Sequence, residues 1–149
     1  MSDNFPVTVF HNPACGTSRN VVAMVEAAGY RPEVVEYLQA GWSAAQLRDL
    51  FAEAGLTPRD ALREKEAAGI DPALLDAATP DETILAAMLA HPVLVNRPIV
   101  RTPRGAALCR PSEKVFDLLD RRPDRFVKED GEVVELSHGR TGAPGGSPA

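Results

Sequence analysis

A short apolar strand runs directly into a helix near the start of this chain, and this pair limits the fold to classes that combine strands with helices. Residues 7–10 are β-branched or aromatic and end at Asn12-Pro13, which is typical of a buried strand closed by a turn. Residues 16–28 carry one apolar face and are followed by Gly29 at a C-cap position, so they predict a helix. The apolar face consists of Val21, Met24, Val25 and Ala28. Cys15 lies at the junction of strand and helix.

The remaining pattern places a block of helices between two groups of strands. Capping residues and apolar periodicity predict about three or four helices within 43–90, the first opened by a capping box of Ser43 and Gln46. Predicted strands lie at 34–37, 99–101, 106–109, 126–127 and 133–134, and a helix is predicted to start at an N-cap, Ser112. We therefore expect an α/β fold, a sheet flanked by helices with an all-helical insertion at about 43–90. We expect one domain over 1–136 and a disordered tail over 137–149.

Composition argues against several classes of partner. The 149 residues are enough for one domain with a sizeable core. With a formal net charge of -5, the chain lacks the overall basic charge that nucleic-acid-binding proteins usually carry. The start of the chain has no signal-peptide pattern, and the longest apolar run, 84–90, is too short to span a membrane. Two distant cysteines without a secretion signal indicate reduced thiols, so we expect a cytoplasmic protein. From the net charge and the short apolar runs we expect no nucleic-acid or membrane partner.

The position of Cys15 favours a reactive thiol. A sulfur at the start of a helix lies near unpaired backbone N–H groups and the positive end of the helix dipole, which stabilise the thiolate. Ser18 can offer its hydroxyl to the sulfur, and His11 and Arg19 are nearby donors or charges. The candidate catalytic residues are therefore Cys15, His11 and Ser18. The alternative is a small buried cysteine, with His11 in packing and Ser18 in the first helical turn.

Several familiar cysteine chemistries do not fit this segment. Ser18 stands where a dithiol oxidoreductase has its second cysteine, so no C-x-x-C disulfide can form. A phosphatase-type loop would place arginine six residues after the cysteine, where this chain has Val21. The two cysteines and three histidines show no paired ligand spacing, so we expect no metal site.

Three separated segments together resemble the glutaredoxin-linked arsenate reductases of bacteria. They read His11-Asn12-Pro13-Ala14-Cys15-Gly16-Thr17-Ser18-Arg19-Asn20, Asn96-Arg97-Pro98-Ile99-Val100 and Leu108-Cys109-Arg110-Pro111-Ser112-Glu113. They occur in the family's order within a resemblance over about 7–119, which is far more specific than any single motif. The resemblance implies a thioredoxin/glutaredoxin-like fold with a helical insertion. It also implies that Pro98 is a cis proline facing the active cysteine.

The resemblance also implies a mechanism and a set of partners. Cys15 would attack arsenate to form a covalent adduct, glutathione would add to it as co-substrate, and glutaredoxin would reduce the product so that arsenite leaves. No bound cofactor is implied. Arg63, Arg97 and Arg110 would bind the oxyanion, although Arg59 in the same segment as Arg63 is an alternative. Guanidinium groups suit this role because they donate paired hydrogen bonds to tetrahedral anions.

Alternatives remain open for the second cysteine and for the function. Cys109 either resolves Cys15 in an internal disulfide or is a structural residue of a predicted strand. The chain could instead be a redox-sensing transcriptional regulator of thioredoxin fold that binds RNA polymerase, although such regulators typically carry the C-x-x-C pattern that Ser18 breaks. A third possibility is a thiol reductase of this fold that acts on a glutathione mixed disulfide.

Overall fold

A four-stranded mixed sheet forms the centre of the protein in a computed structural model that describes residues 5–136. Its strands are β1 (Thr8–His11), β2 (Glu33–Glu36), β3 (Ile99–Thr102) and β4 (Gly105–Leu108). Their order is β2-β1-β3-β4, with β1 and β2 parallel and the other two pairs antiparallel. The parallel pair is joined through the first helix, as a parallel connection requires.

Helices flank this sheet and account for most of the chain between β2 and β3. They are α1 (Gly16–Ala27), α2 (Tyr37–Ala40), α3 (Ala44–Ala54), α4 (Glu64–Ile70) and α5 (Asp81–Ala90). Three 3₁₀ segments cover Pro72–Leu75, Pro92–Leu94 and Ser112–Leu118. The predicted α/β class is confirmed. The boundaries of one domain with an insertion at about 43–90 stay a prediction, and the predicted disordered tail lies outside the described residues.

The sheet separates two apolar cores because successive strand residues point to opposite faces. On β1, Val9 packs into one core and Phe10 into the other; on β3, Val100 and Ile99 divide in the same way. The core of Phe10 and Ile99 contains side chains of α3, α4 and α5, and the core of Val9 and Val100 contains those of α1 and the segment Ser112–Leu118. Both faces of the sheet are therefore covered at β1 and β3, and Cys15 lies just beyond the end of β1.

The start of α3 at Ser43 agrees with the sequence-based prediction, whereas the start predicted at Ser112 differs. The Ser43 hydroxyl accepts a hydrogen bond from the Gln46 N–H at 3.1 Å, and the Gln46 Oε1 accepts one from the Ser43 N–H at 3.4 Å, so the predicted capping box is present. The helix predicted after Ser112 is instead a 3₁₀ segment in which Ser112 is the first residue and Pro111 precedes it. 3₁₀ geometry is frequent in connecting segments, but this run of seven residues is longer than most.

A second, two-stranded sheet follows the main one. It consists of β5 (Arg125–Val127) and β6 (Val133–Glu135), in agreement with the hairpin predicted around Asp130-Gly131. Gly131 has a φ of 95°, a conformation that favours glycine, and its N–H donates to the Lys128 carbonyl at 2.9 Å. None of the helices within residues 5–136 is long and apolar enough to cross a membrane.

Candidate active site

Cys15 is the N-cap residue of α1, in the loop that leaves the end of β1. Its N–H donates to the Asn12 carbonyl at 3.0 Å, and its own carbonyl accepts from the Arg19 N–H at 3.0 Å. The Asn12 side chain accepts from the Ala14 N–H at 2.9 Å. These bonds fix the loop, so the sulfur is held at the amino end of the helix. The side chain is partly buried, and the thiol is free.

The surroundings of this sulfur favour its ionised form. Burial would raise the pKa of the Cys15 thiol, but backbone N–H groups of Ser18 and Thr17 and the guanidinium groups of Arg97 and Arg110 lower the pKa to about 7. A thiol with this pKa is about half ionised at neutral pH, whereas an ordinary thiol is almost entirely protonated. This partial ionisation supports the predicted role of Cys15 as the nucleophile, which stays a prediction.

Both guanidinium groups come from the hairpin of β3 and β4. Arg97 precedes β3 and Arg110 follows β4, and the antiparallel register pairs Ile99 with Leu108, so the two arginines meet at one end of the hairpin. The Arg110 Nη1 lies 3.8 Å from the Cys15 Sγ and donates to the Arg97 carbonyl at 2.9 Å.

Two cis peptide bonds lie beside these arginines. The Arg97–Pro98 bond is cis, which confirms the isomer that the resemblance implied. The Arg110–Pro111 bond is also cis, which the sequence analysis did not predict.

Two arginines at the site have buried donors without a partner among the described residues. Arg97 is only 7% exposed, and its Nε and Nη1 make no hydrogen bond. The Arg63 Nη1 donates to the Asn96 side chain at 3.1 Å, and its Nε has only the Glu66 carboxylate at 3.9 Å. Buried polar groups are normally satisfied. Unfilled guanidinium donors at a cavity therefore indicate a place for an anion.

A cavity of about 510 Å³ joins the thiol to these cations. Its walls include Cys15, Arg63, Arg97 and Arg110. Arg59 does not line this cavity, and its guanidinium donates to the Thr79 carbonyl. Of the two arginines left open by the sequence, Arg63 is thus the one that faces the thiol cavity. The oxyanion-binding role of Arg63, Arg97 and Arg110 stays a prediction that this geometry supports.

Neither His11 nor Ser18 lines the thiol cavity, and of the two only Ser18 acts on the sulfur, through its backbone rather than its hydroxyl. Burial lowers the pKa of His11, Glu36 opposes this, and Arg19 adds a smaller lowering, so the surroundings favour the neutral imidazole. The fully buried Ser18 uses its hydroxyl to accept a bond from the Asn12 N–H at 3.3 Å. Its backbone N–H is the group that bonds the Cys15 sulfur. Their catalytic roles stay predictions.

The second cysteine lies in a different environment. Cys109 is fully buried in the core on the α1 side of the sheet. Burial raises the pKa of its thiol to about 12. Such a thiol is protonated at neutral pH and is a poor resolving nucleophile. The structure therefore favours the structural interpretation of Cys109.

Two acidic residues that local sequence did not place at the site also lie on the cavity wall. The turn between β5 and β6 brings Glu129 and Asp130 to the wall of the thiol cavity. The local sequence predicts the turn, but it contains no signal for where the turn packs. Within residues 5–136, no three His, Cys, Asp or Glu side chains lie close enough together to hold a metal ion.

The mixed sheet, the cysteine at the start of the first helix and the cis proline before β3 indicate the class of protein. It is a thiol protein of thioredoxin-like fold, in which guanidinium donors lie beside the sulfur. Comparison with known proteins gives the particular family. The ArsC family model matches residues 10–118, and the chain belongs to the ArsC family. The family resemblance inferred from the three sequence motifs is confirmed.

Similar proteins match over most of their length. An arsenate reductase of Synechocystis sp. is 53% identical over 135 residues, which cover 90% of this chain and 93% of that protein. An arsenate reductase of Rhizobium meliloti is 54% identical over 129 residues, covering 86% and 92%. A solved arsenate reductase from Vibrio cholerae superposes with a TM-score of 0.73 at 36% identity, covering 78% of this chain and all of that one. The fold is therefore thioredoxin-like, as expected.

Proposed function

We propose that this protein is an arsenate reductase that reduces arsenate to arsenite through a covalent adduct on Cys15, with glutathione and glutaredoxin as reductants. One observation carries the proposal: an ionisable thiol and three guanidinium groups line the same cavity. Family membership and the similarity to arsenate reductases over nearly the whole chain support the same activity.

Arsenate binding follows from the charge of the cavity. Arsenate is a tetrahedral, multiply charged anion, and the free donors of Arg97 and Arg63 can bond its oxygens. Arg110 contacts both the sulfur and the Arg97 carbonyl, so it links the nucleophile to the anion site. Charge that builds on the oxygens during attack is then stabilised by groups already in place.

The proposed reaction moves two electrons to arsenic. The Cys15 thiolate replaces one oxygen of arsenate, and that oxygen leaves as water after protonation. The thiol of glutathione replaces a second oxygen in the same way. A glutaredoxin thiolate then attacks the glutathione sulfur; a disulfide forms, the bond from glutathione to arsenic breaks, and its electron pair reduces As(V) to As(III). Water finally replaces Cys15 on arsenic, which releases arsenite and restores the thiol.

This scheme uses external thiols and no bound cofactor. Cys109 is unsuited to replace glutathione because its thiol is buried and protonated. The scheme also requires Cys15 to remain reduced between turnovers, which favours the cytoplasm as the compartment.

The test is a reconstituted assay. We expect the pure protein with arsenate, glutathione and glutaredoxin to release arsenite, and Cys15→Ser to release none. Omission of glutaredoxin should stop turnover after the adduct forms. A second arm replaces arsenate by a glutathione mixed disulfide. Arsenite formation no greater than that of Cys15→Ser, together with rapid reduction of the mixed disulfide, would reject arsenate reduction in favour of a general thiol reductase.

A further inference from the structure

The Arg19 side chain is held by a residue from the far end of the described chain. Its Nε donates to the Glu129 Oε1 at 3.0 Å, and its Nη2 donates to Oε2 at 2.8 Å. The Arg19 Nη1 donates to the Pro13 carbonyl at 2.8 Å. This paired geometry fixes the guanidinium more firmly than a single contact does. In this half-exposed pair, the three bonds direct the Arg19 guanidinium towards Glu129 and the Pro13 carbonyl.

Other contacts hold the turn that carries Glu129 in this position. The Glu129 N–H donates to the Asn20 side chain at 3.0 Å, in the first turns of α1. The Lys128 ammonium group contacts the Glu113 carboxylate at 2.8 Å on the other side. The turn therefore remains attached to the molecule when the pair of Arg19 and Glu129 is altered.

The Glu129 carboxylate lies directly beside the catalytic loop. A Cβ built on Gly16 would come within 2.8 Å of the Glu129 Oε2, so glycine at this position leaves room for the carboxylate. Gly16 is the neighbour of Cys15, and Glu129 lines the cavity that contains the sulfur. A negative group thus lies on the rim of a cavity built for an anion, and its charge is balanced by Arg19.

We propose that Glu129 is a positioning residue: it holds Arg19 beside the Cys15 loop, just outside the cavity wall, and the two form a neutral pair. In this pair neither charge acts alone on the thiolate or on the entering anion. The effect on the anion rests on the proposed arsenate reductase function. The effect on the thiolate does not, because it requires no substrate.

The proposal predicts that the two single substitutions have opposite effects on the stability of the thiolate and on arsenate binding. Glu129→Gln removes a negative charge and leaves Arg19 unpaired, so the Cys15 thiolate and arsenate are both stabilised. Arg19→Gln leaves the Glu129 carboxylate unpaired, so both are destabilised. The double variant removes a neutral pair and returns both properties to the wild-type values. The other charged residues on the cavity wall are the same in every variant: Arg63, Lys65, Glu66, Arg97, Arg110 and Asp130.

The thiol readout is the pH midpoint of the reaction of Cys15 with a neutral dipyridyl disulfide, with Cys15→Ser as the blank. We expect a lower midpoint for Glu129→Gln, a higher one for Arg19→Gln and an unchanged one for the double variant. The second readout is arsenate turnover. Its KM should fall about two- to fivefold for Glu129→Gln and rise by a similar factor for Arg19→Gln, with a smaller change in kcat. Melting temperatures establish that all variants fold.

The matched control lies on the same hairpin. Arg125 and Glu135 form an exposed pair at 3.9 Å that does not line the cavity. Arg125→Gln, Glu135→Gln and their double variant should leave the midpoint and KM unchanged.

Wild-type midpoints in all three cavity variants, or shifts in the same direction for both single variants, would overturn the proposal. So would a double variant that shifts as far as either single one. The expected midpoint pattern in a protein that does not reduce arsenate would overturn the proposed function and keep the positioning role.

Discussion

Replacing Arg110 by Gln tests the electrostatic basis of the site most directly. The Arg110 Nη1 lies 3.8 Å from the Cys15 Sγ, and this guanidinium is one of four groups that together lower the pKa of the thiol from 9.0 to about 7. An opposite charge within this distance lowers a pKa by about one to three units. Burial raises the pKa of this thiol, so the four groups together lower it by more than the net change. We therefore assign to Arg110 the low end of that range, about one unit, and the pKa of the thiol should rise to roughly 8 in Arg110→Gln.

Two opposing effects then set the reaction rate with a neutral dipyridyl disulfide. At pH 7 the thiolate fraction falls from about one half to about one tenth, a loss of roughly fivefold. The thiolate of higher pKa is intrinsically more nucleophilic by about threefold per unit, given a Brønsted coefficient of about 0.4–0.5. The variant should therefore react about twofold more slowly at pH 7. Near pH 10, where both thiols are ionised, it should react about threefold faster.

The assay follows the absorbance of the released pyridine thiol across this pH range. Arg59→Gln is the matched control, since Arg59 bonds the Thr79 carbonyl and does not line the cavity. Its rate profile should match that of the wild type. A profile for Arg110→Gln that lies below the wild type by the same factor at every pH would refute the electrostatic explanation, because it would indicate a displaced loop with an unchanged thiol pKa.

Two further substitutions test the remaining assignments. Cys109→Ser should keep arsenate turnover with glutathione but lower the free energy of unfolding by about 1–3 kcal/mol in urea titrations, because it places a hydroxyl in an apolar core; complete loss of activity in the folded variant would restore Cys109 as a resolving thiol. Arg97→Lys should reduce kcat/KM for arsenate much more than for a glutathione mixed disulfide, because lysine lacks the paired donors that suit a tetrahedral anion; equal losses for both substrates would contradict the anion-binding role.

The site depends on the sheet more than on any one segment. β1 ends at the cysteine loop, and β3 pairs with β1 through Phe10 and Ile99. This pairing places Arg97, two residues before β3, close to the loop. The pairing of β3 with β4 then places Arg110 next to Arg97. A change that shifts this register by one residue would move both guanidinium groups and reverse the faces of the strand.

Several elements could be predicted from local sequence because their cause is local. The apolar periodicity of α1, the capping box at Ser43 and the turn at Gly131 depend on residues within a few positions of one another. The reactive position of Cys15 also follows from its place at the start of a helix. The 3₁₀ form of Ser112–Leu118 was not predicted, because apolar spacing over a short segment does not distinguish it from an α-helix.

The sequence by itself thus determined most element types and the family, and it singled out Cys15 as the candidate nucleophile, since these rest on local pattern and on motifs in a fixed order. Only the tertiary structure decided which cations surround the sulfur. In the folded chain Arg63, and not Arg59, lines the thiol cavity. The Ser18 hydroxyl accepts a hydrogen bond from the Asn12 N–H, and the Glu129 carboxylate accepts one from the Arg19 guanidinium. Electrostatic effects depend on distances between residues far apart in the chain, and those distances are set by strand register and packing rather than by any short stretch of sequence.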